Sequence, residues 1–344
     1  MSVLGIDEIT YGADDLPACR RFFETWGLAL VREAEGELVF ECLNGCRVVV
    51  AATGRDGLAP AIEPGPTLRE VVWGVETEDD LDRIGAAIAD VRGFIDATPA
   101  SGTAAGTGAG TATDDADGWR RIGCLDPNGL ALRLQVTRKR AITVECAATN
   151  SWNARTRIDR PSTFYERAHP IEVGHVVFFT DDVAAASAFY RERLGFILSD
   201  SYPGRGAFLR CAPRGGHHDL FLLQLPDGKR GLNHVAFTVR DIHEVFGGGL
   251  HVARDGWSTQ LGPGRHPISS AYFWYFKCPA GGLIEYYADE DELTQAWQPR
   301  EFQPGPTVFA EWAIDGGLDG HTRRQRDAKA PDQRFMTEKR EADR

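Results

Sequence analysis

The sequence has no C-x-x-C pair. Its seven cysteines (Cys19, Cys42, Cys46, Cys124, Cys146, Cys211 and Cys278) are odd in number and scattered. That spacing excludes a disulfide framework and a structural zinc knuckle, and leaves reduced, buried thiols as the expectation. No run approaches the roughly 18 apolar residues of a membrane span, and Asp7 and Glu8 stand where a signal peptide would need its apolar stretch. The chain is therefore expected in the cytoplasm, without a membrane partner. Positive charge is also short: 38 Lys and Arg against 50 Asp and Glu give a formal net charge of −12. Such a surface opposes polyphosphate, so nucleic acid is not an expected partner. Large apolar residues are absent from one segment and nearly so from another. Residues 96–118 are small, polar and Gly-rich, which predicts a flexible insertion, and residues 319–344 predict a charged, disordered tail.

What is present is a globular composition, 42% hydrophobic and 26% charged over 344 residues, which excludes collagen and coiled coil and suffices for two domains. The most informative pattern is an internal repeat. IDEITYGADDLPACRRFFETWGL (6–28) and VGHVVFFTDDVAAASAFYRERLGF (173–196) share an alternating strand, an Asp-Asp cap and an amphipathic helix. LREVVWGVETEDDLDRI (68–84) matches LNHVAFTVRDIHEVF (232–246), and CLDPNGLALRLQ (124–135) matches KCPAGGLIEYYA (277–288). Asp14 or Asp15, and Asp181 or Asp182, are placed to accept the free N–H groups of a first helical turn. The pattern predicts an α+β chain of four βαβββ modules, paired into two domains, each an open curved β-barrel with flanking helices. The expected divisions are an N-terminal domain over 1–136, a linker over 137–169 and a C-terminal catalytic domain over 170–318. Residues 305–317 are expected to fold back over the catalytic half.

Matching positions of the two halves differ in chemistry. The second half carries His175, His234 and Glu285 where the first carries Glu8, Glu70 and Arg133. A histidine in an apolar strand is, taken singly, more often a hydrogen-bonded core residue. A carboxylate inside IEYYA is different, because burying it unpaired is costly. Two imidazoles and one carboxylate at coincident repeat positions form a 2-His-1-carboxylate set, the arrangement associated with non-haem Fe(II) and open coordination positions. Arg133 would repel a cation, so the first half is expected to be a degenerate, metal-free scaffold.

Two further motifs complete the pattern. One is Gly264-Arg265-His266, then Tyr275, Pro279, Gly281 and Glu285; the other is RGGHHDLFLLQLPDGKRGLNH, with His217, His218, Lys229, Arg230 and His234. On these residues the region 170–290 resembles the type I extradiol catechol dioxygenases of the vicinal oxygen chelate superfamily, the 2,3-dihydroxybiphenyl 1,2-dioxygenase-like enzymes. The resemblance implies Fe(II), with Mn(II) as the other candidate, on His175, His234 and Glu285. It also implies O₂ as co-substrate and insertion of both its atoms into a substituted catechol (meta cleavage), in aromatic compound catabolism. His218, with His217 as the alternative, would be the acid–base residue, Tyr275 would hydrogen-bond the substrate oxygen at the metal, and His266 would support that oxygen or the tyrosine. A catecholic small molecule and a homo-oligomer are the implied partners. Ser269, Trp274 and Cys278 depart from the family pattern, so substrate identity does not carry over. The alternatives within the superfamily are a metal-dependent lyase or isomerase of the glyoxalase I type and a non-catalytic ligand-sequestering protein.

Overall fold

The computed structural model describes residues 3–97 and 119–315. The first half runs β1 (Val3–Ala13), α1 (Leu16–Thr25), β2 (Ala29–Ala34), β3 (Glu37–Glu41), β4 (Arg47–Ala52), β5 (Thr67–Val75), α2 (Glu78–Ile88), β6 (Ile95–Ala97), β7 (Arg121–Leu125) and β8 (Ala131–Val136). A short hairpin, β9 (Asn150–Ser151) and β10 (Ala154–Arg155), interrupts the connection to the second half. There follow β11 (Glu172–Phe179), α3 (Val183–Leu194), β12 (Ile197–Tyr202), β13 (Gly206–Arg210), β14 (Leu220–Leu223), β15 (Gly231–Thr238), α4 (Ile242–Arg254), β16 (Thr259–Arg265), β17 (Tyr272–Lys277) and β18 (Leu283–Ala288). The chain ends, as described, with β19 (Arg300–Glu301), α5 (Pro306–Phe309) and β20 (Trp312–Asp315).

The βαβββ unit thus occurs four times, in an α+β fold of two large curved, open sheets with helices against them. The first sheet has the order β2-β3-β4-β1-β5-β8-β7-β6, and the second β19-β12-β13-β14-β11-β15-β18-β17-β16-β20. Each of the helices α1 to α4 begins where a side chain accepts one of its free N–H groups. Asp15 accepts from Ala18 N (2.8 Å) and Asp182 from Ala185 N (2.9 Å), so the second aspartate of each Asp-Asp pair is the cap. Asp96 and Ala97 are strand residues of β6 rather than the start of the insertion; the rest of that segment, and the tail at 319–344, lie outside the described residues.

One buried apolar cluster runs through both halves. At its centre Trp26 stacks on Tyr286, ring centroids 3.6 Å apart, while the Tyr286 hydroxyl donates to the Trp26 carbonyl (2.6 Å). Helix α4 carries three successive glycines despite their poor helix propensity. The reason is close approach: a Cβ on Gly249 would lie 2.0 Å from the Trp274 ring. The large Trp274 is thus seated on the helix side of the sheet, and leaves the opposite face to the site.

Candidate metal centre

Strand register explains why residues so far apart in sequence converge. Across four neighbouring strands, His175 of β11 stands opposite Ala236 of β15, which pairs with Glu285 of β18, which pairs with Tyr275 of β17. His234 lies two residues before Ala236 on β15 and so points to the same face. His175, His234 and Glu285 are buried. His175 Nε2 and His234 Nε2 lie 3.3 and 3.2 Å from Glu285 Oε2, and 3.3 Å from each other.

These spacings fit a cation. Ligand bonds of about 2.1 Å at right angles put donor atoms about 3.0 Å apart, and somewhat more at wider angles. The His234 Nδ1–H donates to Asn233 Oδ1 (2.8 Å), which leaves the Nε2 lone pair aimed at the carboxylate. His175 Nδ1 and both Glu285 oxygens have no hydrogen-bond partner. Three lone-pair-bearing atoms packed this closely in a buried site repel one another until something positive lies between them. Burial pushes the pKa of His175 down to about 4, keeping its imidazole neutral and able to ligate.

The residues around this set form two fixed hydrogen-bond chains. His266 Nδ1–H donates to the Phe309 carbonyl (2.7 Å), so its Nε2 accepts the Tyr275 hydroxyl (3.0 Å). The Tyr275 phenol, raised by burial and then by the nearby Glu285 charge, stays protonated. On the other side Arg300 Nη2 donates to Asp200 Oδ2 (2.6 Å), and that oxygen accepts His217 Nε2–H (2.8 Å). His217 Nδ1 then has only a lone pair, which accepts the Nδ1–H of His218 (3.2 Å). His218 Nε2 is left as a free base. Burial, then His217, keep the His218 pKa well below the ordinary imidazole range, so it is neutral rather than balanced near pH 7 as its side-chain type alone suggests. His217 is fully buried, whereas His218 lines the cavity beside the triad.

That cavity, about 270 Å³, is walled mainly by apolar side chains such as Val177, Phe208, Phe221, Leu223 and Ile268, with Ser269 at its edge. Gly305, Val308 and Phe309 also line it, so the segment after β19 does fold back onto this half, and β20 pairs with β16. Sequence patterning did not single out Asn233, Asp200, Arg300 or Glu290. Asn233 could have been found from its place beside His234. Glu290 Oε1 lies 3.5 Å from His218 Nδ1, and burial raises its pKa to about 7.

In the first half the same register places Glu8, Val72, Arg133 and Gly123 in one row, with Glu70 two residues before Val72. Glu8 meets Arg121 and Arg138 at 3.1 Å each, and Glu70 meets Arg133 at 3.3 Å. Guanidinium groups therefore occupy the space that the second half leaves for a cation. A Cβ on Gly123, the counterpart of Tyr275, would fall 2.6 Å from the Arg133 side chain.

The fold and the site define a vicinal oxygen chelate architecture. Residues 172–286 match the Glyoxalase/Bleomycin resistance protein/Dioxygenase superfamily. Among curated proteins the chain is similar to metapyrocatechase 2 of Cupriavidus necator, 37% identical over 152 residues, covering 44% of this chain and 47% of that one. The match thus spans about half the length of that relative. Among solved structures, a Mn(II)-bound glyoxalase from Novosphingobium aromaticivorans aligns with a TM-score of 0.70 and 22% identity, over 92% of this chain and 93% of the other. A halotolerant catechol dioxygenase, BphC, aligns with a TM-score of 0.67 and 21% identity, over 91% and 95%. These two likenesses establish the fold over both halves.

Proposed function

We propose that the chain is an extradiol catechol dioxygenase whose C-terminal half holds Fe(II), or Mn(II), on His175, His234 and Glu285. The observation that supports this most is the buried triangle of donor atoms with sides of 3.2–3.3 Å. Bound there, the metal would supply open coordination positions that hold a catecholate and O₂ together. The protein's own groups do the rest. His218, held as a neutral base by the Arg300–Asp200–His217 chain, takes a catechol proton and returns it later in ring opening. Tyr275, oriented by His266, hydrogen-bonds the substrate oxygen, either accepting from a catechol hydroxyl or turning its own O–H away from His266 Nε2. The apolar cavity excludes water and stacks the ring among Phe208, Phe221 and Ile268. The product is the meta-cleaved ring, as expected in aromatic catabolism. Similarity to a metapyrocatechase, with the His218, His266 and Tyr275 set beside the triad, favours this reading over the lyase or isomerase one.

The test is to load the protein anaerobically with Fe(II), admit O₂ with 3-substituted catechols, and follow oxygen uptake and the yellow ring-fission chromophore. Uptake with a yellow product, abolished in Glu285→Ala, is expected. Tight metal binding with no oxygen consumption on any catechol would instead support the lyase or isomerase alternative.

A further inference from the structure

The cavity has a chemical gradient along its length. At the triad end it is bounded by two carboxylates, Glu285 and Glu290; elsewhere its walls are mainly apolar, and among the described residues only one lysine or arginine lines it, Arg205. Arg205 sits in the turn between β12 and β13. Its backbone is pinned on both sides, N–H donating to Tyr202 O (2.8 Å) and carbonyl accepting Gln224 N–H (2.7 Å). Its Nε donates to the Gln224 carbonyl (3.0 Å). Among the described residues the guanidinium makes no ion pair, so its two Nη groups keep their hydrogen-bonding capacity.

Register gives the separation. β14 runs parallel to β11, with Val177 opposite Phe221 and Phe179 opposite Leu223, and Thr180 N–H donates to Leu223 O. Gln224, and Arg205 beside it, therefore lie near the level of Thr180, five residues beyond His175 and about 16 Å along the strand at about 3.3 Å per residue. The side chains between, Val177, Phe221 and Leu223, all line the cavity, and Leu225 lines it just beyond. A bare catechol held at the triad spans only the near part of this length.

We infer that Arg205 is a specificity-determining residue, and that the preferred substrate is a catechol carrying a carboxylate on a short side arm. This rests on the dioxygenase reading above. The diol end faces the metal ligands, the ring lies between apolar walls, and the carboxylate meets the free edge of a pre-positioned guanidinium fork.

The experiment compares two catechols of equal shape and different charge, 3-(2-carboxyethyl)catechol and 3-propylcatechol, on the Fe(II)-loaded full chain. Wild type is expected to favour the carboxylate by at least tenfold in kcat/KM. In Arg205→Met that ratio falls at least tenfold, chiefly through KM, and Arg205→Lys, with charge but no fork, lies between. A wild-type preference for the propyl compound, or a preference that survives Arg205→Met, overturns the assignment. Anaerobic calorimetric titration separates this from a failure of the dioxygenase reading. If neither compound is cleaved, tighter carboxylate binding that is lost in Arg205→Met still upholds the subsite, and equal binding of the two compounds overturns it.

Discussion

At the scale of single residues, the site works through tautomers fixed from outside it. His234 can offer Nε2 to a cation because Asn233 takes its Nδ1–H, and His266 can accept from Tyr275 because the Phe309 carbonyl takes its other proton. Removing such a partner leaves the ligand in place but free to turn, and typically costs 10–100-fold in metal affinity. Asn233→Ala is therefore expected to weaken Fe(II) or Mn(II) binding by about that factor, read by competition with a chromophoric chelator; unaltered affinity would show that packing alone orients His234. His218→Gln should leave metal affinity near wild type while lowering kcat by about 10²–10⁴, the usual worth of a positioned acid–base group. Stopped-flow oxygen uptake checks it. Equal kcat in that variant would return the acid–base role to His217, the other histidine of the pair.

At the scale of elements, the alternating strands and Asp-Asp helix starts were legible, and so was the correspondence of halves: Glu8, Glu70 and Arg133 hold the register positions in the first sheet that His175, His234 and Glu285 hold in the second, as the repeat implies. What the sequence could not show were contacts with no local signature. Asp200 and Arg300 are 100 positions apart, and the anchor of His266 is a backbone carbonyl, which any residue has. That carbonyl belongs to α5, and β20 behind it pairs with β16, with Ala313 opposite Gly264 and the Arg265 guanidinium donating to Glu311 (2.6 Å). This returning segment thus holds His266 and closes one wall of the cavity, although it contributes nothing to the triad. Ala313 is buried, and Ala313→Pro should disrupt the β16–β20 ladder. The expected result is a fall in kcat/KM on a catechol by up to about 10²-fold, as for a small misplacement of a positioning group. Bound metal, measured by elemental analysis, should stay unchanged. Loss of metal in this variant would mean that the segment supports the whole sheet rather than the His266 edge.

At the scale of the molecule, the first half completes the core of the second. Tyr286 needs Trp26, Leu232 N–H donates to Glu63 (2.7 Å), and Thr180 Oγ1–H donates to Asn128 (2.8 Å). A further, pH-sensitive link is Asp126, in the β7–β8 turn. It accepts from Leu130 N–H (2.9 Å) and from the hydroxyl of Tyr190 in α3, across the boundary (3.1 Å). Burial dominates over these hydrogen bonds and raises its pKa from 3.8 to about 6. A carboxyl with a raised folded-state pKa contributes stability that is full below its unfolded value, near pH 4, and is lost as pH rises through about 6. At about 1.4 kcal/mol per unit, the loss is at most about 3 kcal/mol. Asp126→Asn keeps the shape and can serve both partners without charge. Its melting temperature relative to wild type should therefore climb between pH 4 and pH 7, be near zero difference at the acid end, and level off above pH 7. Using the difference between the two proteins cancels the opposite pH dependence of carboxyls whose pKa is lowered, such as Asp96 and Asp181. A difference that stays flat across that range would mean that Asp126 is ionised in the fold and that its hydrogen bonds, not its burial, decide its charge.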